Sequence, residues 1–147
     1  MGTYPFHKRR FARALAAEVV YRNRLLGEMP GAALGEILQR EELLPEEREL
    51  LESIVSTYAA RSAEIEELLA RTSDNWRPER MLFLDRAIIE AAIAELLGQV
   101  TPFRVVISEA IEITKAMSTE KSPGFVNGVL DRVARELGFS EAGAGRG

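Results

Sequence analysis

The chemistry open to this sequence is limited first by the side chains it lacks. His7 is the single histidine and there are no cysteines, so a Ser-His-Asp triad, a thiolate nucleophile and a multi-histidine or cysteine zinc site all lack their parts. Neither a G-x-x-x-x-G-K-S/T phosphate loop nor a G-x-G-x-x-G turn after a strand is present. Glu109 and Glu112 lie one helical turn apart, a separation that acid-base work can use. Lys115, three residues further on, makes an ion-paired or solvated helix face the better reading. The expectation is a protein that is not an enzyme and that holds no cofactor and no metal.

The groups that carry information are cationic. Residues 1 to 24 hold Lys8, Arg9, Arg10, Arg13, Arg22 and Arg24 against Glu18, a net of +5, so the rest of the chain carries −9 within the total of −4. A basic N-terminal segment therefore sits on an acidic body. At about 100° per residue, Arg9, Arg10, Arg13 and Arg24 share one sector of a helix, and Phe11, Ala12, Leu15 and Val19 occupy a sector roughly opposite. A guanidinium donates paired hydrogen bonds to phosphate and stays charged at working pH. Tyr21 lies at the edge of the cationic sector, where a ring can stack on a base. Spacing alone divides evenly between this reading and a blander one, in which the arginines pair with the acidic body. Basic amphipathic helices also serve membranes and protein partners.

A second group is Lys121-Ser122-Pro123-Gly124-Phe125-Val126-Asn127-Gly128-Val129-Leu130-Asp131. Glycine inside a helix costs about 1 kcal/mol relative to alanine, so Gly124 and Gly128, four apart on one face, suggest that another helix or a ligand approaches the backbone there. Phe125 falls in the first turn, beside N–H groups that can receive an anion. Asn127 either satisfies a buried polar contact or meets a ligand.

The elements that must position these groups are helical throughout, since no stretch alternates with period two between turn signals. The spacing predicts a first helix from Phe6 to Leu26 stopping at Gly27, and a short second helix from Ala32 to Gln39. Pro45 begins a long third helix whose Leu51, Ile54, Val55, Tyr58, Ile65, Leu68 and Leu69 form a core stripe. A largely buried helix starts at Pro78 and runs to Gly98. Two more follow, Phe103 to Met117 and Gly124 to Leu137, each expected to open on a capping side chain and a proline, Thr101-Pro102 and Ser122-Pro123. Gly138 closes the last one. Residues 1–140 read as one domain and residues 141–147 as a disordered tail. With 46% hydrophobic and 29% charged residues, no apolar run of about 18 residues and no secretory signal, a cytoplasmic protein is expected.

Three blocks make the sequence recognisable: Arg9-Arg10-Phe11-Ala12-Arg13 through Tyr21; Asp85-Arg86-Ala87-Ile88-Ile89 through Glu95-Leu96; and Pro102-Phe103-Arg104-Val105 through Ser108-Glu109-Ala110, Lys115 and Phe125-Val126-Asn127-Gly128-Val129-Leu130-Asp131. Together they resemble the bacterial transcription antitermination factor NusB family, in the family's order, from about residue 7 to 137. The resemblance implies an all-α fold of about seven helices in two small bundles. It implies binding of boxA leader RNA together with the small-subunit ribosomal protein that doubles as NusE, and loading onto elongating RNA polymerase during ribosomal RNA synthesis. It points to Arg9, Arg10, Arg13, Phe125 and neighbouring Lys121 as RNA-binding residues, to which the helical spacing adds Tyr21, and to Asp85, an acid where the family often keeps one, as a contact to RNA or partner. Glu18 beside the cationic face and Asn127 in the second group are further candidates for such contacts. Phe11 stands where many members have another arginine, Glu18 where a glutamine is common, Ser108 for a common asparagine and Glu90 for a common arginine. Two other readings stay open: an RNA-targeting NusB-like domain of a ribosomal RNA cytosine methyltransferase, and a purely protein-binding helical scaffold. A monomer and a homodimer are equally compatible with the sequence.

Overall fold

Proline and glycine set most of the element boundaries. In the computed structural model, which describes residues 4–73, 81–140 and 143–146, α1 spans Lys8–Leu26 and stops at Gly27, whose φ of 73° lies in the left-handed region. A residue with a Cβ is strained in that conformation, which is why glycine ends the helix there. α2 (Pro30–Arg40) and α3 (Pro45–Thr72) each begin on a proline, whose missing N–H removes nothing at a first helical position. Glu47 reaches back to accept a hydrogen bond from the Leu44 backbone N–H at 2.7 Å, satisfying one more donor at the start of α3.

α4 (Phe83–Gly98), α5 (Phe103–Met117) and α6 (Ser122–Glu136) complete six helices among the described residues. The expected start at Pro78 lies outside those residues, but Met81 and Leu82, expected within α4, precede it, with Leu82 as its N-cap. α3 is bent at Arg61, where φ −122° and ψ 27° leave the helical region. Counting the two arms of α3 separately gives seven helical segments; as continuous elements there are six. The arms and their neighbours also share a single buried cluster instead of two separate bundles.

The expected caps of α5 and α6 take other forms. Pro102 is the residue preceding α5 and supplies no side-chain cap. Ser122 lies inside the first turn of α6, and its hydroxyl bonds Asp85 instead of the helix backbone. A short antiparallel ladder follows Gly138 and joins β1 (Phe139–Ser140) to the backbone of β2 (Gly143–Arg146).

α4 occupies the centre, packed against α1, α3, α5 and α6. That position explains why twelve of its residues, from Asp85 to Leu97, are buried. α1 is enclosed too: α2, α3, α4 and α5 all touch it, and nine of its residues between Phe11 and Val20 are buried. The simple division of α1 into an apolar and a cationic face therefore holds only at its ends. Every apolar residue assigned to the α3 stripe is buried.

Candidate nucleic-acid interface

α1 enters the protein with its N-terminal turn at the edge of a groove of about 910 Å³. Lys8, Arg9 and Arg10 form one lip, Glu46 and Glu49 of α3 stand in the lining, and Val105 of α5 contributes apolar surface. Lys8 and Arg9 are exposed and have no ion-pair partner among the described residues. Lys8 also has φ 56°, a left-handed conformation that a lysine holds at a cost.

The next two arginines are held by carboxylates. Arg10 donates from Nε and Nη2 to Glu109 of α5, at 3.1 and 2.8 Å. Arg13 donates from Nε and Nη2 to Glu95 of α4, both at 2.8 Å, and from Nη1 to Glu109 at 3.4 Å. Exposure falls from 38% for the Arg10 side chain to 9% for Arg13. Two cations and two anions thus bolt α1, α4 and α5 together at one point. The hydrogen bonds from Arg10, with its positive charge and that of Arg13, hold the Glu109 carboxyl below its ordinary range against the opposing effect of burial.

Arg22 and Arg24 are also engaged. Arg24 bonds Glu90, whose carboxylate is fully buried and is shared with Arg86; the Arg24 guanidinium also lies over the Tyr58 ring, 5.7 Å from its centroid. Glu90 thus works as a helix contact among α1 and α4. Glu18 accepts from Tyr4, Arg22 and Arg40 at 2.7 to 3.1 Å. Burial alone would raise its pKa; the hydrogen bonds from Arg40, Tyr4 and Arg22 outweigh that and leave it lowered. Its negative charge is therefore compensated locally instead of standing bare beside Arg9 and Arg10.

Tyr21 is half-buried against the core. Asp85 is buried, with its two oxygens accepting from the hydroxyls of Ser118 and Ser122 at 2.5 and 2.7 Å. That pair of bonds ties the α5–α6 turn to the start of α4. Lys121 is exposed immediately before α6, and Phe125 is half-buried against the core. Asn127 is exposed, which rules out a buried polar contact for it. A Cβ added at Gly124 or Gly128 meets nothing within 4 Å, so no helix among the described residues approaches them.

The two sequence groups lie at opposite ends of α4. Arg13 is bonded to Glu95, while the segment after Lys121 is bonded to Asp85, ten residues or about 15 Å away along the helix. Sequence reasoning gave Glu95 no role and set Glu109, Glu112 and Lys115 on an ion-paired or solvated face; Lys115 does pair with Glu112 at 3.3 Å, and Glu109 is ion-paired, but to Arg10 and Arg13. Lys8 was counted only in the charge balance. The available signal was the charge asymmetry itself: an acidic body of −9 has to place some carboxylates against a basic helix. Among the described residues no group of three or more acidic or histidine side chains is placed to hold a metal ion, and no helix is long and apolar enough to cross a membrane.

Helices packed around one core, with free cations gathered where the first helix meets an open groove, define an all-α binding module. The chain belongs to the NusB family, whose model matches residues 10–135. It is 38% identical over 133 residues to the transcription antitermination protein NusB of Anaeromyxobacter dehalogenans, covering 88% of this chain and 92% of that one. The solved NusB of T. maritima superposes with a TM-score of 0.78 at 31% identity, over 88% of this chain and 92% of that chain. A chain in the crystal structure of antitermination factors NusB and NusE in complex with dsRNA superposes with a TM-score of 0.77 at 27% identity, over 87% and 96%.

Proposed function

We propose that this protein is a cytoplasmic antitermination factor that binds boxA leader RNA jointly with the ribosomal protein NusE. The assembly then joins elongating RNA polymerase and keeps ribosomal RNA synthesis processive. The observation that carries the reading is the exposed Lys8 and Arg9, with the half-buried Arg10 beside them, at the N-terminal end of α1, in a chain whose relatives are transcription antitermination proteins. Its mechanism is assembly: each ligand's binding strengthens the other's through the shared platform.

Lys8, Arg9 and the outer edge of Arg10 meet phosphates, and Arg13 serves as the brace beneath them. Tyr21, Lys121 and Phe125 extend the path toward α6, where exposed Gly124, Asn127 and Gly128 let a partner come close to the helix backbone. Glu18 and Asp85 act indirectly, through the side chains they hold.

The deciding experiment is a fluorescence anisotropy titration of labelled boxA RNA with wild type and with Lys8→Ala/Arg9→Ala/Arg10→Ala, each with and without NusE. The expected result is saturable binding by wild type that tightens when NusE is present, and loss of most of it in the triple variant. Equal affinity of the two proteins would refute the assignment.

A further inference from the structure

We propose, taking this end of α1 as the RNA grip, that Glu109 is a positioning residue for RNA binding: it fixes the Arg10 guanidinium so that its free edge is already presented to a phosphate. The geometry is a chain of contacts leading from the interior to the surface. Glu95 holds Arg13 in a two-bond fork, Arg13 reaches Oε1 of Glu109, and Glu109 holds Arg10 in a second fork. Side-chain exposure rises along it, from 5% and 9% to 17% and 38%. Each group is thus anchored by one more deeply buried than itself.

A guanidinium has five N–H donors. Glu109 takes one from Nε and one from Nη2, so both N–H groups of Nη1 and the second of Nη2 remain for a ligand. An unrestrained arginine gives up rotamer freedom when it grips a phosphate; one already held loses less. Arg9 and Lys8, without ion-pair partners among the described residues, supply long-range attraction, and Arg10 supplies a preset contact.

The sign of one substitution separates positioning from simple electrostatics. Glu109→Gln removes a negative charge beside the RNA, which by charge alone strengthens binding. It also breaks the fork, because an amide presents one acceptor and a donor group where the carboxylate presents two acceptors. Positioning requires weaker binding.

Affinity for labelled single-stranded boxA RNA, with NusE present, is measured for wild type, Glu109→Gln, Arg10→Ala and the double variant. The expected loss in Glu109→Gln is about fivefold, which at 1.4 kcal/mol per tenfold is about 1 kcal/mol. No further loss is expected when the same change is made in Arg10→Ala. Unchanged or tighter binding by Glu109→Gln overturns the proposal, as does an equal loss in both backgrounds. Hydrogen exchange at the arginine Nε–H groups, followed by NMR in the wild type, supplies a readout that needs neither a variant nor RNA. Arg10 and the more deeply buried Arg13 should both exchange slowly; exchange of Arg10 as fast as that of Arg9 overturns the proposal. Wild type that binds no RNA overturns both this role and the RNA reading. RNA binding that depends on Lys8 and Arg9 but is untouched by Glu109→Gln overturns the role of Glu109 alone.

Discussion

Replacing Arg13 by methionine tests whether this arginine is a brace or a contact. Methionine keeps much of the aliphatic stem and removes the charge, so the apolar packing of α1 changes little. What changes is Glu95, whose side chain is 5% exposed and whose ion-pair partner among the described residues is Arg13. Glu109 loses only its 3.4 Å contact and keeps the Arg10 fork. The dominant cost is thus one uncompensated buried carboxylate, and removing one partner of a buried pair costs roughly 3–5 kcal/mol. At roughly 2–4 °C per kcal/mol for a domain of this size, Tm should fall by roughly 6–20 °C. The double variant Arg13→Met/Glu95→Leu removes both charges and should lie within about 2 kcal/mol of wild type, since apolar replacement of a buried pair is often neutral or better. Urea unfolding followed by far-UV circular dichroism measures both, with an unchanged m-value showing that the same surface unfolds. A single variant within about 1 kcal/mol of wild type, or a double variant as weak as the single, would refute the brace.

Other consequences are open to simpler measurements. If Lys8, Arg9 and Arg10 each neutralise one phosphate, the log-log salt slope on single-stranded RNA is about −2, and Arg9→Ala brings it to about −1.4; an unchanged slope removes Arg9 from the interface. Lys8→Gly relieves the left-handed strain at φ 56°, so it should stabilise the fold by about 1 kcal/mol while weakening RNA binding, and Tm and affinity moving in the same direction would contradict this. Gly128→Ala meets open space and should raise stability by about 1 kcal/mol; it should weaken association with NusE if that partner approaches the α6 backbone, as a pull-down would show. Hydrogen bonds from their partner side chains hold the pKa values of Glu18 and Glu109 below the ordinary glutamate value of about 4.5 in the folded protein, so the stability they contribute is present above about pH 4.5 and is lost as pH falls through their folded values. Thermal melts should be flat from neutrality to about pH 5.5 and drop below about pH 4.5, with a shallower drop in Glu18→Gln.

Local signals made the helices legible. Gly27 and Gly138, both at positive φ, end helices where the sequence places the stops, and Pro45 opens α3 as expected, whereas α2 opens on Pro30, two residues before the expected Ala32. The α3 stripe followed from periodicity because a helix repeats its buried face within a few residues. The bend at Arg61 carries no such mark, since neither proline nor glycine occupies it. Ser122-Pro123 looks like a cap and is not one: Asp85, 37 positions earlier, competes successfully for the hydroxyl. The pairings that decide the site are equally remote, with 82 positions between Arg13 and Glu95 and 99 between Arg10 and Glu109. Helical spacing correctly put Arg10 and Arg13 near one another, but which carboxylates they meet is set by the packing of α4 and α5 on α1.

Those pairings also settle how the two readings of the basic segment fit together. Arg10, Arg13, Arg22 and Arg24 pair with the acidic body, as the bland reading has it, and the N-terminal excess of +5 is largely consumed inside the fold. Of the cations at this end of α1, Lys8 and Arg9 have no ion-pair partner among the described residues, and Arg10 is half-released at 38% exposure. Concentrating the free charge at one helix end focuses attraction on a short stretch of backbone, whereas a helix coated in unpaired arginine would bind nucleic acid along its whole length. The same carboxylates that neutralise the interior arginines make α1 rigid where it meets α4 and α5. If this end of α1 is the RNA grip, affinity there comes from few cations, of which Arg10 is held by Glu109, and selectivity for one RNA is supplied jointly with a second bound partner.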